Sequence, residues 1–498
     1  MYLSHLLYSL TLKNGVKHFS NQATKLGSKV NKCVKRVLGQ PTSDTHPHIL
    51  NEGEVTPMIT KFEYQSRRCK FMDAITKFTF KNCLKSKDHL VVIPAASKQY
   101  MSDKIPYVFR QNTEFLYLTG CLEPDCCVVL TSDSSGNFST TLFTRDKDEH
   151  AELWDGPRTH PEDANNFFGV NESLPMSELD KFIFSFQKSK KNLNLWYDFL
   201  MPVQRNVHLS VKNFMDETGN KHWENPKPLL HKLRLYKSPS EIALMQKACD
   251  ITAQAFMDTI SVSRPGIAEN HLFAKFDYEC RLRGAEYLAY PPVIAGGTRA
   301  TTIHYINNNQ VVDAGEMVLM DGGCELHGYA SDITRTWPIS GKFTEEQRLI
   351  YEVVYDVNKE LIEMCNKFPS LDMLFESMCY LLGKRLQEVG LLGAQPSSPY
   401  LMKAAYQLCP HHVSHYLGMD IHDTPTVTRN MQVEPGMIIT IEPGIYINEN
   451  NKLLPKKYRG IGVRIEDDVL ITVNGPVVLS RKCPKYIDDI ERLSSENQ

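Results

Sequence analysis

Four acidic residues stand in apolar surroundings. Asp321 ends the run Met317-Val-Leu-Met320, and Asp332 sits in Ser331-Asp-Ile-Thr-Arg-Thr336. Glu442 follows Met437-Ile-Ile-Thr-Ile441, a run without alternation that reads as a strand buried on both faces. Glu466 lies in Gly462-Val-Arg-Ile-Glu-Asp-Asp468. An unpaired carboxylate in such a place is strongly disfavoured, so a positive group must face these acids. Arg464, two residues before Glu466 and on the same strand face, is one such group. A single Arg cannot balance four carboxylates, whereas divalent metal can. The segment His411-His-Val-Ser-His-Tyr-Leu-Gly-Met-Asp-Ile-His422 supplies imidazoles, the commonest neutral metal ligands. Four carboxylates and one His form a hard, oxygen-rich set that favours Mn²⁺, accommodates Co²⁺, Zn²⁺ or Fe²⁺, and disfavours a thiolate zinc site. Two ions fit better than one, because four carboxylates over-neutralise a single dication. Singly, each acid reads as a solvated or hairpin residue and each His as a surface or core residue; the weight comes from their joint occurrence on apolar strands. Spacing alone does not name the reaction.

The elements that must carry these residues can be read from the pattern. Gly322, Gly323 and Gly328 supply turn chemistry between Met317–Asp321 and Tyr329–Trp337, so these two segments are expected to pair as a hairpin. Met437–Glu442 and Ile461–Leu470 are further strand segments. Ser238-Pro-Ser-Glu241 predicts a capped helix start, followed by Ile242, Met245, Cys249 and Phe256 on one face. Thr344-Glu-Glu-Gln347 repeats that grammar before Leu349, Ile350, Val353, Val354 and Val357. A third helix runs through Leu374, Met378, Leu381 and Leu382 and stops at Gly390. The second half is therefore α+β, with helices on one face of a largely antiparallel sheet. Residues from about 60 to 225 read as one α/β unit, with Leu90–Pro94, Phe115–Leu118 and Cys127–Thr131 as short strands and Asn225-Pro-Lys-Pro228 as its boundary.

Composition narrows the function classes. The chain has 498 residues, 42% hydrophobic and 23% charged, values of a globular protein of two to four domains. Its net charge of −2 gives no support for nucleic-acid binding, and no apolar stretch approaches the ~20 residues of a membrane span. The thirteen cysteines are irregularly spaced and form no C-x-x-C, which points to a reducing compartment and to buried or incidental thiols. Charge is unevenly placed: the first acidic residue is Asp44, and seven basic residues precede it. Beyond them 49 basic residues face 58 acidic ones, a net charge of about −9. Leu6, Leu7, Leu10 and Leu12 precede the basic stretch at roughly helical spacing. A basic, acid-free, amphipathic leader over residues 1–40 reads as a mitochondrial transit peptide. The alternative is a disordered basic tail, and a cytosolic form would arise wherever the leader is left out.

The segments DGGCELHGYASDITRTWP, HHVSHYLGMDIHD, TIEPGIY and GVRIEDD resemble, in this order, the motif set of the M24 "pita-bread" metallopeptidases in their aminopeptidase P branch. The resemblance extends from about residue 38 to the C-terminus, and the leader agrees with a mitochondrial, matrix-located member. It implies a creatinase-like N-terminal domain over residues 55–230, a pita-bread catalytic domain over 235–490, and a homodimer. It further implies that Asp321 binds one metal, that His415 and Glu442 bind the other, and that Asp332 and Glu466 bridge them. Glu442 would also accept the proton of the attacking water. His304 would contact substrate, and His422 would steady the tetrahedral intermediate. His411 would be a further active-site histidine, Tyr290 a tyrosine beside the metals, and Arg464 an arginine supporting the ligands. His412 reads as a neighbour without a role.

The reaction so implied is hydrolysis of the bond before a proline in the second position, by a hydroxide held between two dications. No nucleic-acid or membrane partner is expected. A prolidase shares the fold and the ligands but acts on Xaa-Pro dipeptides and must grip their carboxylate. A non-catalytic adaptor that kept its site is the third reading. Methionine aminopeptidases, which usually lack so large an N-terminal domain, fit less well.

Overall fold

The computed structural model describes residues 37–82, 88–133, 135–188, 190, 193–219, 222–393 and 397–495. The basic leader expected over residues 1–40 falls almost wholly outside them.

Helix α1 (Lys61–Lys81) begins where the Thr60 side chain accepts from the Glu63 N–H, and it buries Tyr64, Arg67, Arg68, Phe71, Met72 and Ile75 at helical spacing. Strand β1 (His89–Pro94) follows, then α2 (Thr113–Thr119), β2 (Cys127–Ser132), β3 (Phe138–Thr144) and β4 (Glu172–Pro175). Next come α3 (Leu179–Lys188), β5 (Asn194–Trp196), α4 (Arg205–Thr218), β6 (Trp223–Glu224) and α5 (Lys227–Arg234). The six strands form one mixed sheet in the order β6-β5-β1-β2-β3-β4. Alternation divides its two faces. Leu90, Val92, Cys127 and Val129 pack with Leu179, Ile183, Val207 and Val211 of α3 and α4. Val91, Ile93, Val128 and Leu130 pack with Tyr64, Phe71, Met72 and Ile75 of α1.

One strand expectation fails here. Phe115–Leu118 is helical, inside α2, where Asn112 caps the Glu114 N–H and Gly120 ends the turn at φ 69°. All seven residues of α2 are buried, so the segment carries no amphipathic period that would distinguish a helix from a strand.

The C-terminal half opens with α6 (Pro239–Ser261), whose Ser238–Glu241 capping box forms as expected. It continues through α7 (Glu269–Leu282), β7 (Val293–Gly296), β8 (Met317–Gly322), β9 (Ile333–Pro338), α8 (Glu345–Met364), α9 (Leu371–Glu388) and α10 (Ser398–Leu408). It closes with β10 (Ile438–Ile441), β11 (Gly444–Tyr446), β12 (Gly462–Arg464), β13 (Asp467–Thr472) and β14 (Gly475–Val478). β7, β8 and β9 pair antiparallel, with Asp321 opposite Thr334. β10, β13 and β14 form a second antiparallel set, and β11 pairs with β12. The two systems meet where the Glu466 N–H donates to the Thr334 carbonyl at 3.1 Å. Helices α6 to α10 cover this core.

The expected hairpin of β8 and β9 carries a smaller one at its tip, where Cys324–Leu326 pairs with Tyr329–Ala330. The Tyr329–Trp337 strand is consequently broken at Ser331 and Asp332. A Cβ on Gly323 would lie 1.7 Å from the Ser331 carbonyl oxygen, so only glycine lets the backbones close here. All eleven described cysteines are free and ten are buried; Cys69 is exposed. No helix of the described residues is long and apolar enough to cross a membrane.

The two halves are joined by buried charge. Arg234 at the end of α5 donates to Glu114 Oε1 at 2.9 Å and to Asp420 Oδ2 at 2.7 Å. Burial opposes ionisation of Asp420, but Arg234 and Arg110 outweigh it and hold the carboxyl down to about 2. An unfolded Asp titrates near ~3.9, so this ionisation adds stability that is present above that pH and lost as pH falls through about 2. Urea unfolding midpoints should therefore fall between pH 5 and pH 2.5, and Asp420→Asn should flatten that fall while lowering the midpoint at pH 5. An unchanged slope would place the acid-sensitive tie elsewhere.

Candidate active site

Asp321 reaches the site from the end of β8. Its Oδ1 accepts from the Tyr290 hydroxyl and its Oδ2 from Arg464 Nη2 at 2.7 Å. The same Tyr290 hydroxyl also lies against Asp332 Oδ1, so one phenol ties two carboxylates together. Asp332, outside the ladder, is fixed through its backbone N–H, which donates to Asp468 Oδ2 at 2.9 Å. Glu466 Oε2 accepts from Thr334 Oγ1 at 2.6 Å, across the strand bridge that joins the two sheet systems. Glu442 follows β10, whose carbonyl at Ile441 is held by Asn358 Nδ2 at 3.1 Å.

His415 lies on an irregular segment running from 411 to 430, anchored beside β10 by the bond from the Thr440 N–H to the His415 carbonyl. Its Nδ1 is 3.2 Å from the Tyr416 carbonyl, which fixes the proton on that nitrogen. Its Nε2 then faces Asp332 Oδ2 at 3.4 Å and Glu442 Oε1 at 3.6 Å. Ligand atoms of Asp332, His415 and Glu466 all lie within 4.8 Å of one another. Asp321 and Glu442 complete the ring through Tyr290 and His415.

The electrostatics of this ring are one-sided. Burial, then the charges of Asp332, Glu442 and Asp321, push the Glu466 carboxyl well above its ordinary range. Burial raises Asp321 despite Arg464. Burial also raises Glu442 to about 7, against the pull of His415 and Arg464. Burial disfavours protonation of His415, yet hydrogen bonding to Asp332 and the charge of Glu442 lift it to about 9. Four carboxylates, Asp332 and Glu466 buried and Asp321 and Glu442 partly so, thus share one guanidinium and one imidazole. This donor set, of oxygens and one ring nitrogen with its second nitrogen satisfied, fits hard divalent cations.

A relay supports the ring. Arg464 Nη1 donates to Tyr446 Oη at 2.7 Å, and that hydroxyl lies 2.8 Å from His411 Nε2. His411 Nδ1 lies 2.9 Å from the His412 carbonyl, which leaves Nε2 to accept from the phenol. Burial and the charge of Arg464 lower His411 to about 4, so the imidazole is neutral. Tyr446 was not singled out by residue type; its only sign in the sequence is its place in TIEPGIY. His412, read as a neighbour without a role, stacks on Phe375 with ring centroids 5.0 Å apart and lines the same cleft.

Tyr290, His411, Arg464 and the five expected ligands face one cavity of about 800 Å³. His304 and His422 stand exposed on its wall, with Pro291, Ile303 and Val427 among the apolar lining. The His422 ring meets His415 edge-on at 4.7 Å. The structure thus brings together every residue expected at the site: Asp321, Asp332, His415, Glu442, Glu466, Tyr290, His304, His411, His422 and Arg464. A carboxylate-rich floor, several imidazoles on the wall and a cleft of peptide size suit hydrolysis of an extended substrate.

Comparison with known proteins agrees with this geometry. Residues 243–473 match metallopeptidase family M24, and residues 64–196 match the aminopeptidase P N-terminal domain. The chain is 44% identical to mouse Xaa-Pro aminopeptidase 3, covering 94% of this chain and 92% of that one. It is 37% identical to the mitochondrial intermediate cleaving peptidase 55 of Arabidopsis thaliana, over 92% and 88% of the two chains. Among solved structures, proline aminopeptidase P II from Yersinia pestis superposes with a TM-score of 0.80 at 32% identity, covering 88% of this chain and 100% of its own. Zn-substituted Escherichia coli aminopeptidase P in complex with product also superposes with a TM-score of 0.80, at 30% identity.

Proposed function

We propose that this chain, which belongs to metallopeptidase family M24 and is a metal-dependent Xaa-Pro aminopeptidase, holds two divalent cations, Mn²⁺ by preference, between Asp321, Asp332, His415, Glu442 and Glu466. Asp321 would serve one ion, His415 and Glu442 the other, and Asp332 and Glu466 would be shared by both. The observation that carries this reading is the under-compensated set of four carboxylates around His415, with ligand atoms of Asp332, His415 and Glu466 within 4.8 Å of one another. When bound, such ions supply Lewis acidity, which makes water nucleophilic near neutral pH and polarises a carbonyl.

The chain's own residues do the rest. Glu442, facing the cavity beside His415, accepts the proton of the attacking water and returns it to the departing nitrogen. That return is essential, because a proline nitrogen within a peptide carries no hydrogen. His422 donates to the developing oxyanion, a preorganised contact of the kind worth ~3 kcal/mol. His304 and Tyr290 bound the substrate, and the carboxylate-rich floor attracts its free amino terminus. Arg464 and Tyr446 keep His411 neutral and fixed. Residues 55–230 form a cap over a catalytic domain of residues 235–490. The basic leader and the mitochondrial relative together support a matrix location, and family analogy supports a homodimer.

Stripped with chelator and given Mn²⁺, the protein should release the first residue from an Xaa-Pro-Xaa tripeptide and leave the matching Xaa-Pro dipeptide largely intact. Cleavage confined to the dipeptide would make it a prolidase. Silence on both, with metal bound, would favour the adaptor.

A further inference from the structure

His422 stands exposed in the cleft, and among the described residues no hydrogen bond holds its ring. Something must nevertheless fix where it points. The preceding stretch, to Gly418, is pinned to the sheet: the Leu417 N–H donates to the Ile438 carbonyl, and the Ala330 N–H to the Gly418 carbonyl. Beyond Gly418 the chain leaves the sheet. From there the Asp423 N–H still donates to the Tyr416 carbonyl and the His422 ring packs on His415, while the charged groups that meet Asp420 and Asp423 come from the other half of the molecule and the linker.

Two aspartates close to His422 receive those ties. Arg234 Nη2 donates to Asp420 Oδ2 at 2.7 Å and to Asp423 Oδ1 at 2.5 Å. Lys237 Nζ donates to Asp423 Oδ2 at 3.3 Å. Arg110 adds bonds to the Met419 carbonyl at 2.7 Å and to Asp420 Oδ1 at 3.0 Å, and Thr113 Oγ1 donates to the same oxygen at 2.8 Å. The side chains of Arg234, Lys237 and Asp423 are each 1% exposed. Seating is tight: a Cβ on Gly418 would lie 2.4 Å from Asp423 Oδ2.

The backbone shows that this conformation is imposed. Thr424, fully buried on the cavity wall, has φ 51°, a region that β-branched residues avoid. Its Oγ1 is buried without a hydrogen-bond partner. Such strain persists where the surroundings over-determine the backbone, and it gathers at functional sites.

We propose that Arg234 and Lys237 are positioning residues that set His422 in the cleft by holding Asp420 and Asp423 on either side of it. The linker and the N-terminal half thereby fix a group of the reaction without touching substrate. This rests on the role given to His422 above.

The test is a double-mutant cycle on the full Mn²⁺-loaded chain with an Xaa-Pro-Xaa tripeptide. Arg234→Met should lower kcat about 10²-fold, with KM within threefold and bound metal unchanged, and Arg234→Lys should recover part of the loss. In a His422→Ala background the same Arg234→Met change should cost less than threefold. A full 10²-fold cost that persists without His422, or a wild-type kcat in Arg234→Met, overturns the proposal. A His422→Ala protein within threefold of wild type would instead remove the role of His422 itself, and the proposal with it. If Arg234→Met does not fold, Asp420→Asn carries the cycle: it weakens one arm at a half-buried position, with about a tenfold drop in kcat expected only when His422 is present.

Discussion

Glu442→Gln should leave a folded protein that cleaves an Xaa-Pro-Xaa tripeptide about 10³-fold more slowly than wild type, a barrier increase of ~4 kcal/mol. The amide matches the carboxylate in shape, so β10 and the Asn358 bond to the Ile441 carbonyl stay as they are. What disappears is the acceptor itself. In the metal-free structure burial raises this carboxyl above its ordinary range, and it stands beside His415 on the cavity wall, where it can take a proton and give it back. A neutral amide can do neither, and one metal-binding oxygen becomes a weaker donor. The measurement is kcat at saturating substrate, with bound metal determined on the same sample. A variant within tenfold of wild type would remove Glu442 from the proton path.

Glu466→Gln should divide activity from stability. With Mn²⁺ restored, turnover should fall at least about 10³-fold, because a carboxylate proposed to hold the metal has lost its charge. The chelated protein should move the other way and melt about 2 °C above chelated wild type. In the metal-free ring the Glu466 carboxyl is opposed by burial and by three neighbouring acids, so a neutral side chain removes repulsion. The amide oxygen can still accept from Thr334 Oγ1. Differential scanning calorimetry with and without Mn²⁺ reads both signs. Equal destabilisation in both states would mean that the ring is not under-compensated.

The site was legible because its demands are local and chemical. An acid at the end of an apolar run announces itself, as Asp321 and Glu442 do, and glycines at 322, 323 and 328 announce the turn between two of the carboxylates. The capping boxes at Ser238 and Thr344 formed where their side chains predict. What stayed hidden depends on the third dimension. Phe115–Leu118 is an apolar run buried all round, and burial on every side erases the period that separates helix from strand. Tyr446 lies within a segment whose chemistry seemed complete at Glu442, and its link from Arg464 to His411 exists only once β11 pairs with β12. Arg234 and Lys237 sit in a run of ordinary basic residues, His231-Lys-Leu-Arg-Leu-Tyr-Lys237, that would pass for a solvated helix end. Their partners lie nearly 190 positions away.

The reach of those ties also sets an order in time. Arg110 and Thr113 meet Asp420 across 310 and 307 positions. At roughly 5 to 20 residues per second of synthesis, about 15 to 60 s separate the two ends of that contact as the chain is made. Contacts of such separation are also among the slowest to close. The sheet of the N-terminal half can be complete long before the segment bearing His415 and His422 exists. A chain that ends before residue 415 lacks His415, Glu442 and Glu466, and so three of the five expected ligands. The ties that hold Asp420 and Asp423 therefore cannot close before the last third of the chain is under way.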